Sequence, residues 1–161
     1  MNISYRPIGV IHSPFKDVQG VPIQLVAAAG IRGEIEILPE FVAGLEDLAG
    51  FSHIILLYHL HLVQETRLSV IPFLDSQPRG VFATRAPTRP NPIGLSVVRL
   101  LDVEGNVLHI DNVDIVDGTP LLDIKPYAPE FDQHLADRVS WLERARGAAR
   151  TRSDGRFAKA V

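Results

Sequence analysis

The chain has 161 residues, 46% of them hydrophobic and 22% charged, with a formal net charge of -3. That is a globular balance at a length suited to one domain, and it argues against disorder. There is no cysteine, which excludes disulfides, thiolate metal sites and cysteine nucleophiles.

Charge is divided along the chain. Residues 1–136 carry 9 Lys+Arg against 16 Asp+Glu, and residues 137–161 carry 7 against 3. The N-terminus, "MNISYRPIGVIHSPFK", lacks the basic start and apolar run of a signal peptide. No apolar stretch approaches the roughly 18 residues of a spanning helix, so a soluble, cytoplasmic chain with no membrane partner is expected.

The first apolar run, "ISYRPIGVIHS", leads to a rigid polar loop, "VQGVPIQ", in which Gln19 and Gln24 flank Pro22. "GEIEIL" reads as the next strand. "PEFVAGLEDLAG" follows with Phe41, Leu45 and Leu48 on one stripe; Pro39 suits a first helical turn and Gly50 a helix end, so a helix is expected. "FSHIILLYHLHLV" is the most apolar strand. Straight alternation would set His53, His59 and His61 on one face, where His59 and His61 are a candidate pair of ligands. No carboxylate or thiolate set completes a metal motif, and no metal is expected.

Residues 84–96, "TRAPTRPNPIGLS", hold Arg85 and Arg89 among Pro87, Pro90 and Pro92. Proline removes donors and pushes the preceding residue out of the helical region. The segment is therefore a stiff loop that presents two cations. "VVRLLDVEGNVLHIDNV" is the clearest hairpin, turning at Glu104-Gly105-Asn106. A third polar loop, "DIVDGTPLLDIKPY", places Asp114, Asp117, Asp123 and Lys125 around a Gly-Thr-Pro turn. Finally "DQHLADRVSWLERAR" has Leu135, Val139 and Leu142 at helical spacing, and past Gly147 the chain is expected to fray.

Many short strands with one or two short helices predict a mainly β protein built on a single small β-barrel. Residues 1–136 are assigned to the barrel, and 137–161 to a short helix and basic tail. Dinucleotide, P-loop, nucleophile-elbow and zinc-protease signatures are absent. The arginines have a purely structural use, pairing with Asp114, Asp117 or Asp123 to join two turns. Against this, rigid loops projecting charge from a barrel are where binding residues tend to be placed.

"RGVFATRAPTRPNPIGLSVVRLL" and "DNVDIVDGTPLLDIKPY" closely resemble the TsaA-like β-barrel proteins, with further matches at "YRPIGVIHSPF", "GLEDLAGFSHIILLYHLH" and "VIPFLD". The resemblance covers roughly residues 5–131 of this sequence. It implies a homodimeric barrel that binds S-adenosylmethionine and methylates N6 of threonylcarbamoyladenosine in tRNA beside the anticodon. The implied cofactor site comprises Pro22, Gln24, His61, Arg85, Gly94, Leu95, Asp117, Gly118 and Thr119. Arg85 would pair with the cofactor carboxylate, Asp117 would accept from its ribose or ammonium, and the Leu95 main chain would read adenine. Departures from the family pattern are Ile23 in place of the usual arginine, Leu62 in place of a glutamine, and no C-terminal domain in this sequence.

The substrate nitrogen in that reaction is conjugated to a carbamoyl group and needs a general base within hydrogen-bond reach. His59, His61 and Asp117 are the candidates, with Arg89 and Asn91 facing substrate. Two rival readings are a non-enzymatic RNA-binding barrel and a cofactor-binding regulatory module.

Overall fold

A computed structural model of the chain describes residues 1–22, 28–144, 153, 154 and 157. Strands form where apolar side chains alternate: β1 Gly9–His12, β2 Arg32–Ile37, β3 His53–His59, β4 Ser69–Val70, β5 Arg79–Gly80, β6 Ile93–Glu104, β7 Val107–Asp111 and β8 Thr119–Pro126. Six of them close an antiparallel barrel in the order β1-β2-β7-β6-β3-β8, while β4 and β5 form a separate two-stranded ribbon. The single small barrel expected from the sequence is what forms. Ile11, Ile35, Ile54, Leu56, Val98, Leu108, Ile110 and Leu121 point inward and are fully buried. Each such side chain contributes about 1.5–3 kcal/mol on leaving water.

The β6–β7 hairpin turns through Gly105 and Asn106, with Gly105 at φ 61 and Asn106 Nδ2 donating to the Ile37 carbonyl. β3 pairs with β6 without interruption, and its register with β8 shifts between Leu57 and Tyr58, where Leu122 is the extra residue on β8. The strand ends at His59, so His61 leaves the face it would have shared with His53.

The expected helix over 39–50 forms as two 3-10 segments, Pro39–Leu45 and Leu48–Gly50, broken by Asp47 at φ 64. Its apolar stripe still works: Phe41, Leu45 and Leu48 close one end of the core. The helix expected over 132–146 does not form over its described residues, 132–144. A short α1, Pro129–Asp132, is followed by extended chain and a 3-10 turn, Ser140–Arg144. Leu135 is 98% exposed and Ser140 sits at φ 53. Without an apolar face to pack on, so short a helix is marginal. Trp141 Nε1 instead donates to the Ala83 carbonyl over 2.8 Å, docking the turn against the segment after β5.

A satellite core lies under the arginine loop, where Val70, Val81, Ala86 and Phe157 are buried together beside Phe73. Phe73 and Phe157 meet edge to face at 5.2 Å. Ser153 exchanges main-chain hydrogen bonds with the 20–21 segment, Gly20 N–H to Ser153 O at 2.8 Å and Ser153 N–H to Val21 O at 2.9 Å. Past Gly147, where fraying is expected, Ser153 and Phe157 form a strap across the loop that precedes Pro22, and residues 148–152, 155, 156 and 158–161 lie outside the described residues.

Candidate active site at one mouth of the barrel

Strand register decides which loops meet. The pairs His59↔Ile93, Tyr58↔Leu121 and Ile11↔Thr119 place the ends of β1 and β3 beside the starts of β6 and β8. The loops 13–22, 60–68, 84–92 and 112–118 consequently open at the same mouth, opposite the 39–50 turns. The three polar loops picked out from sequence share that mouth.

On the β1 side the 112–118 loop is laced to residues 11–16. Asp117 Oδ1 accepts from the Ser13 N–H at 3.0 Å, Oδ2 accepts from Lys16 Nζ at 2.7 Å, and His12 Nδ1 lies 3.5 Å from Oδ1. The Lys16 hydrogen bond, followed by that of Ser13, holds the Asp117 carboxyl below its ordinary value. Gly118, at φ 75, donates its N–H to the Ile11 carbonyl and so sets the turn. Asp117 is thus a fixed anion with both oxygens engaged.

Beside this turn, Thr119 is buried, and its hydroxyl donates to the Val116 carbonyl at 2.6 Å. His61 Nδ1 lies 3.3 Å from the same hydroxyl. Because that hydroxyl already donates, Nδ1–H is the donor to it and the Nε2 lone pair is left open. Burial, then the nearby His59, lowers the His61 pKa and keeps the ring neutral. His59 is exposed at the end of β3.

The two loop arginines take different roles. Arg89 Nη1 lies 3.0 Å from the Val81 carbonyl and 2.9 Å from that of Thr84, and its guanidinium stacks 5.7 Å from the Phe82 ring. It rivets the loop to the turn beneath it, which is not the substrate-facing posture expected from sequence. Arg85 is exposed and makes no hydrogen bond or ion pair among the described residues. Its charge reaches Asp114 and Tyr58 inside the mouth. Asn91 is exposed on the same loop.

Gly94 is buried, and a Cβ there would fall inside the Tyr58 ring, so this glycine makes room for a core aromatic. Leu95 is 54% exposed on the outside of the barrel. The bonds Leu100 N–H to Ser52 O and Leu60 N–H to Pro92 O set the hydrogen-bonding parity, by which even residues of β6 bond to β3. β7 joins the other edge of β6 only from Arg99 onward. The main-chain groups of Leu95 and Val97 thus face away from β3 along an edge that no described strand covers. Pro22 is buried at the mouth behind Ser153's partners, and Gln24 lies outside the described residues.

Sequence reasoning passed over Tyr58 and Ser96, and gave Asp114 only a pairing role. The Tyr58 and Ser96 hydroxyls are 2.9 Å apart, and Ser96 Oγ donates to Asp114 Oδ1 at 2.7 Å. The available signal was a serine on the inward face of β6, between Gly94 and Val98. No three His, Asp or Glu side chains converge in a metal-binding arrangement among the described residues.

The sequence model of the family described as "tRNA-methyltransferase O N-terminal domain" matches residues 10–133. A Pyrococcus abyssi protein named as a probable S-adenosyl-L-methionine-binding protein is 57% identical over 156 residues, covering 96% of this chain and 85% of that one. The Escherichia coli tRNA (adenine(37)-N6)-methyltransferase is 40% identical over 149 residues, covering 84% of this chain and 62% of that enzyme. The crystal structure of TrmO from Pseudomonas aeruginosa superimposes with a TM-score of 0.73 at 41% identity, covering 88% of this chain and 63% of that one. The chain therefore spans less than two thirds of the latter two proteins.

Proposed function

Because the chain belongs to the tRNA-methyltransferase O N-terminal domain family, we propose that it is a cytoplasmic, S-adenosylmethionine-dependent methyltransferase. Its substrate is the N6 nitrogen of threonylcarbamoyladenosine beside the tRNA anticodon. The observation that carries this reading is the guanidinium of Arg85, unpaired among the described residues, at a mouth that also holds a half-buried carboxylate, a neutral histidine and a strand edge that no described strand covers.

Those residues fit the cofactor. Arg85 suits its carboxylate, the Leu95 main chain suits a purine edge, and the Gly118-Thr119 turn borders the space between them. When bound, S-adenosylmethionine supplies an electrophilic methyl group on sulfur. The protein's part is alignment, exclusion of water and removal of the N6 proton. His61, neutral with Nε2 open, remains a candidate for that last task. Asp117 does not, since Lys16 and Ser13 occupy its oxygens. The Arg89 rivet fixes the loop that aims Arg85, and Asn91 is the polar group left free there to meet substrate. The cations of 137–161 give tRNA a sequence-independent grip.

Two copies of the chain pair, on this reading, through the outside of β3 and β6. Ile93, Leu95 and Leu101 are 41%, 54% and 41% exposed there, beside the half-exposed Ile55, Leu57 and Val97. A patch of this kind marks an interface, and its place next to the Leu95 edge brings the partner subunit to the mouth.

The test is calorimetric titration with S-adenosylmethionine, with Arg85→Ala as control, followed by methyl transfer to tRNA bearing N6-threonylcarbamoyladenosine. Binding weakened at least tenfold in the variant, with turnover by the wild type, supports the proposal. Binding without turnover favours a cofactor-binding module, the role for which the Pyrococcus relative is named. RNA binding with no cofactor affinity removes both.

A further inference from the structure

The hydroxyls of Tyr58 and Ser96 and the carboxylate of Asp114 form a continuous chain through the mouth, from the inside of β3 across β6 to the 112–118 loop. Tyr58 and Ser96 are 7% and 4% exposed, among neighbours such as Leu56 and Val98 that are wholly buried. An apolar barrel needs no such chain, and an ionisable group placed in one is costly unless its hydrogen bonds are complete.

The direction of the chain is fixed. Burial, then the charge of Asp114, pushes the Tyr58 pKa far up, so Tyr58 keeps its proton and donates to Ser96. Ser96 in turn donates to Oδ1 of Asp114. Oδ1 is thereby held, the carboxyl also accepts from the main-chain N–H of Asp114 itself, and the side chain is half-buried. Arg85, on the loop above, is the charged group that acts on Asp114 among the described residues, and Tyr58 and Ser96 are its polar neighbours.

We propose that Oδ2 of Asp114 receives the proton given up by the substrate nitrogen, with Ser96 and Tyr58 as positioning residues. The inference rests on the methyl-transfer reading. The N6–H bond breaks, its electron pair forms the new nitrogen–carbon bond, and the proton ends on Oδ2, turning a carboxylate into a carboxylic acid. The sulfonium carbon–sulfur bond breaks with its pair left on sulfur, so charge balances. Burial already raises the proton affinity of Asp114, while Ser96, the main-chain N–H of Asp114 and then Arg85 hold it down.

The experiment compares wild type with Asp114→Asn, Ser96→Ala and His61→Gln. S-adenosylmethionine is titrated calorimetrically, and kcat against pH is measured on tRNA bearing N6-threonylcarbamoyladenosine. Asp114→Asn is expected to bind S-adenosylmethionine within about threefold of the wild type. Asp114→Asn should lower kcat by roughly 100-fold or more. Ser96→Ala should keep turnover but move the acid limb of kcat to higher pH, because a bond that favours the carboxylate is gone. His61→Gln should leave that limb in place. Turnover by Asp114→Asn within tenfold of wild type overturns the inference, as does an acid limb that survives in Asp114→Asn and vanishes in His61→Gln. A wild type that binds no cofactor overturns the methyl-transfer reading and this inference with it, an outcome separable from the others by the binding data alone.

Discussion

Gly94 and Tyr58 face each other on β6 and β3, and the ring occupies the space a side chain at 94 would need. Both backbones lie in the closed ladder and cannot part, so Gly94→Ala must displace the ring and pull its hydroxyl from Ser96. The expected cost is about 1–3 kcal/mol, read as a lower Tm together with weakened turnover. Asp114 has the opposite thermodynamic sign. Its pKa is raised in the folded state, so the unfolded chain binds fewer protons over that window and stability falls as pH rises through it. Asp114→Asn, which removes the buried charge and keeps the shape, should melt above wild type at neutral pH. The difference should shrink as pH falls toward the ordinary carboxylate value of about 4. Thermal melts at a series of pH values check this, and a gap that widens toward acid would refute it. The acid-side loss has another source in Asp117, whose depressed pKa gives stability that is present above the ordinary carboxylate value and lost as pH falls through the lower, folded one.

At the scale of elements, what was legible in the sequence was what depends on local pattern. Alternation gave the strands, the Gly-Asn turn gave the β6–β7 hairpin, and proline spacing gave the rigid arginine loop. The 132–146 segment misled because helical spacing of Leu135, Val139 and Leu142 says nothing about whether a surface exists to receive them. Trp141, bonded to Ala83, decides that segment by a contact 58 positions away in sequence. The site was legible by residue type and less so by role. Arg85 and Arg89 look alike in "TRAPTRPNP", and only the carbonyls of Val81 and Thr84 distinguish the rivet from the free cation. The Tyr58–Ser96–Asp114 chain draws on three separate elements, so no local motif announces it. The satellite core is similarly non-local. Phe157→Ala should cost about 3 kcal/mol there, released as local opening rather than global unfolding. Hydrogen exchange at Gly20 and Val21 should quicken by roughly 100-fold, while amides in β3 and β6 keep their protection.

For the molecule as a whole, the outer face of β3 and β6 carries a prediction about assembly. Leu95→Glu places a charge opposite Leu57 in the middle of the exposed apolar patch without touching the core. Sedimentation should show the wild type as a dimer and the variant as a monomer with an unchanged circular dichroism spectrum; a monomeric wild type would rule the interface out. The mouth is finished by residues far apart in the chain, and this fixes when it becomes usable. Gly20 and Val21 are tied down by Ser153, and the floor beneath Arg85 is filled by Phe157. A polypeptide emerging from the ribosome can close its barrel once β8 is out, since the strands pair without the strap. It cannot steady the loop before Pro22, proposed to border the cofactor, until residue 157 has followed. The newborn chain therefore folds before it becomes competent, and a truncated product ending soon after the barrel would look native by spectroscopy yet hold its methyl donor poorly.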